Sequence, residues 1–327
     1  MNGNKGVKII IISVIILFLL LIVGAVVLLL VPSNNGNSIL KIGKNNTTSN
    51  ENVSDEENSV GTTAEGDSNI TYIKTSDESE IPVPEGFKYV EGTVSTGAVI
   101  EDENGNQFVW VPTDEVLFAR RNFDTPEQNS QNEITQTTEF FETVESNSEY
   151  IECVNKYKGF YIGRYEASEN SEDVNKACTK RGVLPWTEIV YDKMRRVAKN
   201  TYADNPSVIS DITSSYTWDT LCEWISKSGY DIYNSTTYGN YANNTEGTRQ
   251  KSLTGRNTKW VTNNIYDLAG NVWEISTEEW GDIYDQNHSG RGGGFHNDGI
   301  EYPISCRVAE YDGAYSYIGF RIVLYLK

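Results

Sequence analysis

Three short motifs constrain the fold of this 327-residue chain more than any other feature. They read Asp267-Leu-Ala-Gly-Asn-Val-Trp-Glu274, Arg291-Gly-Gly293 and Gly319-Phe-Arg321, in that order. From Tyr230 onward the sequence is rich in aromatic residues, Asn and Gly, and has few long periodic segments. Because Tyr and Trp each bury a large apolar body and bond through a polar tip, they can hold an irregular chain together. The pattern therefore predicts a fold in which much of the chain is irregular.

The ordered set of motifs resembles the closing half of the formylglycine-generating enzyme, or sulfatase-modifying factor, family. The resemblance covers residues 81–327 and includes a strand ending in Tyr165-Glu166 and a helix containing Cys222-Glu-Trp224. It implies an α+β domain, the family's variant of the C-type-lectin-like fold. Such a domain has two helices, short antiparallel strands and extensive loops.

The family also binds calcium through its Gly-Asn-x-Trp-Glu loop. Carried over to this chain, the resemblance implies Ca²⁺ ligands from the side chains of Asp267 and Glu274 and the carbonyl groups of Gly270 and Val272. Carboxylate and carbonyl oxygens are the ligands that Ca²⁺ prefers, and a glycine lets the backbone fold around the ion. The alternative is that both carboxylates only cap the turn and bond backbone amides.

Active family members carry two cysteines, five residues apart, after the Arg-Gly-Gly element, and their thiolates hold Cu(I). By direct count, Asn297 and Tyr302 occupy those places here. Cys306 lies later without a neighbouring thiol, and two histidines, His288 and His296, are too few for the histidine-rich iron site of other members. We therefore expect no copper and no oxidase chemistry.

The loops between Phe295 and Tyr317 have the composition of a ligand-binding surface. Tyr offers rigid amphipathic area, and small polar residues adapt to a partner. A similar composition, with an Ile-Gly-Phe-Arg ending, resembles the ligand face of retroelement-diversified variable proteins. The predicted surface residues are Phe295, His296, Asn297, Asp298, Glu301, Tyr302, Tyr311, Asp312, Tyr315 and Tyr317.

These observations predict a catalytically silent module that binds a surface glycan, peptide or protein. Two alternatives stay open. One is a metal-dependent enzyme of the sulfatase-modifying type with an altered site, and the other is a structural component of the cell envelope. The formal net charge of −19 argues against nucleic acid as a partner, because a phosphate backbone requires a basic surface.

An apolar run near the start of the chain predicts a membrane anchor. Residues Ile9–Val31 are almost wholly apolar and long enough to cross a ~30 Å hydrocarbon core. Lys5 and Lys8 precede the run, so the positive-inside bias predicts a cytoplasmic N-terminus and an extracytoplasmic C-terminal domain. A cleaved signal peptide is the alternative, although its apolar region would be shorter. We assign residues 1–32 to the cytoplasmic tip and the anchor.

The next segment, residues 33–80, is rich in Asn, Ser, Thr, Gly and Glu and poor in large apolar residues. Such a segment cannot bury enough surface to offset its ordering entropy, which predicts a disordered acidic spacer. The folded domain is then residues 81–327. From Asn122 to Asn155 the sequence contains no Lys or Arg, and this pattern predicts an acidic surface loop.

Local patterns predict short strands, a hairpin turn and two helices inside the domain. The helices extend from Thr187, as N-cap, to Lys199 and from Trp218 to Ser228. The strands lie at 89–90, 98–100 and 108–111, with a turn at Asn104-Gly105. The cysteines Cys153, Cys178, Cys222 and Cys306 form no C-x-x-C pair, so disulfides and free thiols both stay open.

Overall fold

The computed structural model describes residues 69–121, 123, 140–281 and 287–327. The predicted anchor at Ile9–Val31 and the spacer up to residue 68 lie outside the described residues. Within the described residues, no helix is both long enough and apolar enough to span a bilayer.

The described residues form a mixed, sheet-rich structure with few helices. The α-helices are α1 (Ser148–Tyr157), α2 (Tyr191–Thr201) and α3 (Ser215–Lys227), and 3-10 helices lie at Glu145–Asn147 and Thr236–Tyr238. The strands are β1 (Ile70–Lys74), β2 (Glu80–Pro84), β3 (Phe87–Glu91), β4 (Val99–Asp102), β5 (Gln107–Pro112), β6 (Phe140–Phe141), β7 (Gly159–Gly163), β8 (Ser168–Glu169), β9 (Ala177–Cys178), β10 (Val208–Ile212), β11 (Val261–Thr262), β12 (Ile265–Tyr266), β13 (Trp273–Trp280), β14 (Asn287–Arg291), β15 (Arg307–Tyr311), β16 (Ile318–Gly319) and β17 (Ile322–Leu326).

The larger sheet has the strand order β10-β17-β7-β5-β4-β3, and its neighbouring strands are antiparallel. Successive side chains of a strand point to opposite faces, so the apolar runs of β7 and β17 serve both faces and are buried throughout. One face packs with Met194 and Val197 of α2. The other packs with Val154 of α1 and Leu221 of α3. The sheet is therefore covered on both sides.

The smaller sheet brings the three sequence motifs together. Its order is β15-β14-β13-β16, with β16 parallel to β13 and the other pairs antiparallel. The first motif leads into β13, the second ends β14, and Gly319 of the third pairs with Glu274. The motifs are far apart in sequence, but this sheet makes them neighbours.

The hairpin and strand predictions are confirmed. Strands β3, β4 and β5 cover the predicted positions, and the turn at Asn104-Gly105 joins β4 to β5. The amide of Gly105 donates to the carbonyl of Asp102 at 3.1 Å, which closes this turn. The four cysteines are free thiols, three of them buried.

The predicted start of the folded domain at residue 81 was wrong. Strand β1 pairs with β2 in register from Ile70↔Pro84 to Lys74↔Glu80. Ile70 is 1% exposed and packs in the core with Ile81. The short run Ile-Thr-Tyr-Ile is β-prone and apolar enough to form an edge hairpin, although the polar residues around it dominate the composition of the segment.

Helix boundaries also differ from the predictions. The second predicted helix begins three residues earlier, at Ser215, because the Ser214 side chain accepts a hydrogen bond from the Thr217 amide at 3.1 Å. The first begins only at Tyr191, since Glu188 has a φ of 60° and Val190 is extended. Part of the predicted acidic loop is helix α1, while residues 122 and 124–139 lie outside the described residues.

Candidate functional site

The loop that leads into β13 is tightly wound against Asn240. Gly270 has a φ of 69°, and a Cβ at this position would lie 2.6 Å from the Asn240 carbonyl oxygen. The side-chain amide of Asn240 donates to the Asn271 side-chain oxygen at 3.1 Å, and the Asn271 amide donates to Glu166. These contacts explain why a glycine and an asparagine follow each other in the motif: the backbone must turn here without a Cβ clash.

The structure places the two carboxylates of the predicted calcium set in this loop, and both are buried. Asp267 Oδ2 accepts a hydrogen bond from the Gly255 amide at 2.6 Å, whereas its Oδ1 is buried without a partner. Glu274 is bonded by Arg321, whose Nε lies 3.0 and 2.9 Å from the two carboxylate oxygens. Glu274 therefore already has a cationic partner, and Asp267 does not.

A third buried carboxylate, which the sequence analysis missed, belongs to Glu166. Its Oε1 accepts from the Val272 amide at 3.1 Å, and it is 0% exposed. Burial, and then the negative charges of Asp267 and Glu274, raise the pKa of Glu166. Burial likewise raises the pKa of Asp267 to about 7. The Tyr-Glu element of the family resemblance marked Glu166, but nothing in the sequence placed it against this loop.

The charges in this cluster do not balance. Among the described residues, the carboxylates of Glu166, Asp267 and Glu274 have one ion-pair partner, Arg321, which bonds Glu274. Full ionisation would leave two buried negative charges uncompensated. This surplus and the unpartnered Asp267 oxygen fit a divalent cation. However, no group of three or more His, Cys, Asp and Glu side chains in the described part of the chain is arranged to hold a metal ion.

A second buried cluster contains Asp219, Glu278, Arg291 and Arg307, with Arg120 at its edge. Arg291 Nη2 lies 2.7 Å from Asp219 Oδ1, and Arg307 Nη2 lies 2.6 Å from Asp219 Oδ2. Arg307 Nε also contacts Glu278 at 2.7 Å, and Arg120 bonds the other oxygen of Glu278. Although burial acts to raise it, Arg307 and Arg291 hold the pKa of Asp219 below its usual value.

Both arginines of the motifs thus serve the architecture. Besides these carboxylates, Arg291 Nε donates to the Cys306 carbonyl at 2.8 Å, and Arg321 Nη1 donates to the Gly163 carbonyl at 3.0 Å. Each is 0% exposed. The planar fork of a guanidinium suits such simultaneous bonding.

Asn297 and Tyr302, which the sequence predicts at the positions of the family's thiols, have local structural roles. Asn297 Oδ1 accepts from the Gly294 amide at 2.9 Å and closes a turn. The ring of Tyr302 meets that of Trp273 edge-on, with 5.6 Å between centroids. Cys306 is 1% exposed, and burial raises the pKa of its thiol to about 12.

The structure gathers four of the predicted surface residues into an aromatic rim, defined as Phe295, His296, Tyr315 and Tyr317. Ring centroids are 5.2 Å apart for Phe295–His296, 5.1 Å for His296–Tyr317 and 5.4 Å for Tyr315–Tyr317. His296 and Tyr315 are exposed, and the other two are half-buried. Tyr302 lies beside this rim, against Trp273.

Other predicted surface residues have local partners. Asp298 Oδ1 accepts from the Ile300 amide at 2.8 Å and so orders its own turn. Asp312 lies 2.8 Å from His288 Nδ1. Glu301 is exposed. The side chain of Tyr311 lies outside the described part of the structure.

A cavity of about 870 Å³ lies elsewhere on the domain, and no predicted site residue lines it. It opens beside α3, where Trp224 and Tyr230 form apolar parts of its wall. Lys227 at its edge donates to the Glu115 carbonyl at 2.6 Å. Sequence reasoning gave no signal for this cavity, because its walls come from several distant segments.

The motif loop and the paired arginines lie in a part of the chain that is similar to domains of the formylglycine-generating-enzyme type. Residues 210–326 match the family model of the sulfatase-modifying factor enzyme 1-like domain. The matched residues include the three sequence motifs, on which the predicted resemblance to this family was based.

Solved structures with partial similarity include variable protein 1 of Treponema denticola, which is 16% identical over 51% of this chain and 84% of that one, with a TM-score of 0.37. PvdO from Pseudomonas aeruginosa is 14% identical over 70% and 98%, with a TM-score of 0.44. CarF is 14% identical over 52% and 87%, with a TM-score of 0.38. A search of curated proteins finds no match.

Proposed function

We propose that this chain is a membrane-anchored, extracytoplasmic binding protein that recognises a surface glycan, peptide or protein, without the family's copper oxidase chemistry. The observation that carries the proposal is the aromatic rim beside two thiol positions held by Asn297 and Tyr302. Tyrosine and histidine rings can stack on sugar or peptide groups while their polar atoms accept and donate hydrogen bonds.

The thiol chemistry also argues for binding over oxidation. Cu(I) is selected by soft sulfur ligands such as thiolates, and burial raises the pKa of Cys306 to about 12, far above physiological pH. We expect no thiol-dependent oxygen uptake when copper is supplied to the full chain. Uptake that disappears in Cys306→Ser would overturn this part of the proposal.

The membrane anchor in this proposal rests on the apolar run Ile9–Val31 and the lysines before it. We expect the full chain to sediment with membranes and a variant lacking residues 9–31 to remain in the supernatant. Protease added outside intact cells should then digest the C-terminal domain. Recovery of the full chain in the supernatant would exclude the anchor.

We include a bound Ca²⁺ ion in the proposal. The side chain of Asp267 and the carbonyl groups of Gly270 and Val272 would hold it, with Glu274 shared between the ion and Arg321. The buried Asp267 oxygen without a partner supports this assignment, as does the surplus of negative charge. Such an ion would compensate charge and fix the loop that leads into β13, a structural role.

Glycan and peptide arrays probed with the full chain test the binding function. Tyr315→Ala combined with Tyr317→Ala should weaken any specific signal about tenfold or more, because stacking area is lost. The matched control is Tyr233→Ala, since Tyr233 is 37% exposed and Tyr315 is 36% exposed. Specific binding that survives the double change would place recognition away from the rim.

A further inference from the structure

A carboxylate beside the aromatic rim has no partner. Glu310 lies on β15, opposite His288 of β14. His288 Nδ1 lies 2.8 Å from Asp312, and its ring stacks on Tyr191 with 3.5 Å between centroids. Glu310 has neither a hydrogen bond nor an ion pair within the described residues, and burial raises its pKa to about 7.

The missing side chain of Gly290 makes room for Glu310. A Cβ on Gly290 would lie 2.7 Å from Glu310 Cγ and 3.2 Å from Trp273 Cε3. The Glu310 stem and the Trp273 ring therefore meet over the same glycine. Trp273 is 2% exposed and forms the floor of this region.

Two tyrosines lie within electrostatic range of the carboxylate. Burial, and next the negative charge of Glu310, raise the pKa of Tyr317. For Tyr302, burial comes first, then the charge of Glu301, and Glu310 contributes as well. Both side chains are half-buried, and Tyr302 packs edge-on against Trp273. Glu310 is thus an unpaired acid with aromatic neighbours.

We propose that Glu310, Tyr302 and Tyr317 form a binding site for an organic ammonium group carried by the ligand of this domain. An alkylammonium ion is attracted to tyrosine faces and to a carboxylate. It would also offset the cost of a partly buried acid that lacks a counter-charge. The inference rests on the proposed binding function and names the chemical group that the ligand presents.

Saturation-transfer NMR on the full chain tests the site with two probes, butylammonium for primary amines and tetramethylammonium for quaternary ones. The uncharged control is tert-butanol, which is close in shape to tetramethylammonium. We expect at least one ammonium probe to bind about tenfold more tightly than the alcohol, the effect of one charge-assisted contact. Equal binding of the alcohol and both cations would overturn the proposal.

Two variants locate the effect. Glu310→Gln keeps the shape and should weaken ammonium binding about tenfold, whereas Glu103→Gln removes an exposed carboxylate from the turn between β4 and β5 and should leave it unchanged. If Glu310→Gln does not fold, Tyr317→Leu replaces it and should also weaken binding. If the folded variant, Glu310→Gln or its replacement Tyr317→Leu, binds the ammonium probes as tightly as the wild type, the proposed site is refuted.

Failure of the ammonium site and failure of the proposed binding function would give different experimental results. If array ligands bind through Tyr315 and Tyr317 but are indifferent to Glu310→Gln and to ammonium probes, the ammonium site fails and the binding function stands. If no array ligand binds and both cations still bind in a Glu310-dependent manner, the site stands without the assigned ligand classes.

Discussion

Two buried clusters of arginines and carboxylates lie in the same domain, and they differ in charge balance. In the first, Asp219 and Glu278 are matched by Arg291 and Arg307, with Arg120 at the edge. In the second, Glu166, Asp267 and Glu274 face the single guanidinium of Arg321. The first cluster lowers the pKa of Asp219, whereas in the second burial raises the pKa of Asp267 to about 7.

The difference shows how similar residues can serve unlike purposes. A buried ion pair contributes little net stability, but an unpaired buried charge is expensive. The balanced cluster can therefore act as fixed architecture. The unbalanced cluster must take up protons or a cation to become neutral, which makes it sensitive to its surroundings.

The largest expected effect comes from removing the guanidinium of Arg321. Arg321→Met should lower the unfolding free energy by about 3–5 kcal/mol at pH 7.5, because it leaves the buried Glu274 without its ion-pair partner. Arg307→Met should lower it by less, because Arg291 still pairs with Asp219 and Arg120 still contacts Glu278. The loss for Arg321→Met should shrink at pH 5, where the neighbouring acids bind protons. The loss for Arg307→Met should not. Urea unfolding at both pH values measures this, and equal pH dependence of the two variants would contradict the comparison.

The second expected effect is the pH dependence that Asp267 confers without a bound cation. Its folded pKa of about 7 lies above the ordinary 3.8. Its contribution to stability is therefore complete below pH 4 and is lost as the pH rises through 7, up to about 4 kcal/mol in all. Asp267→Asn should flatten the stability profile between pH 4 and 8.

The matched control for that profile is Asp204→Asn, which changes an exposed carboxylate. It should leave the pH dependence of the unfolding free energy as in the wild type. If the stability profiles of Asp267→Asn, Asp204→Asn and the wild type coincide, Asp267 titrates normally in the folded chain.

Bound calcium should remove part of the difference in charge balance between the two clusters. At a concentration a hundredfold above the dissociation constant, Ca²⁺ should add about 2.7 kcal/mol to the unfolding free energy at pH 7.5. Mg²⁺ should add less, because it prefers octahedral geometry and keeps its water ligands. Thermal unfolding with and without each ion measures the shift, with Asp267→Asn expected to lose it. No shift in the wild type would remove the calcium proposal and leave the loop as plain architecture.

The smallest effect is expected at the edge of the balanced cluster. Arg120→Met should cost only about 1 kcal/mol, because its side chain is partly exposed and Arg307 still pairs with Glu278. Chemical unfolding at pH 7.5 tests this. A loss as large as that of Arg307→Met would mean that all three guanidiniums are needed.

The sequence predicted the features that depend on local pattern and on motif order. The three motifs indicated the resemblance to the family, and the Asn104-Gly105 turn indicated its hairpin. The helix near Trp218 was also predicted, with its start displaced because the Ser214 cap was not considered. Each of these signals is contained within a few neighbouring residues.

The parts that escaped prediction depend on long-range pairing. Glu166 meets the motif loop from the segment between β7 and β8, more than a hundred residues earlier, as its bond with Asn271 shows. Glu310 is near Trp273 only because Gly290 lies between their strands. A carboxylate gives no sign in the sequence of whether its eventual neighbour is a guanidinium or a tyrosine ring. Its chemistry is decided by the sheet that brings the neighbours together.

The position of β17 has a consequence for biogenesis. Its residues, Ile322–Leu326, are all buried and lie between β10 and β7 in the larger sheet. A nascent chain that lacks them leaves two strand edges unpaired at the centre of the domain, and such edges invite association with other chains. These edges stay open until the residues of β17 leave the ribosome, and we expect a premature stop codon just before them to yield an aggregation-prone product.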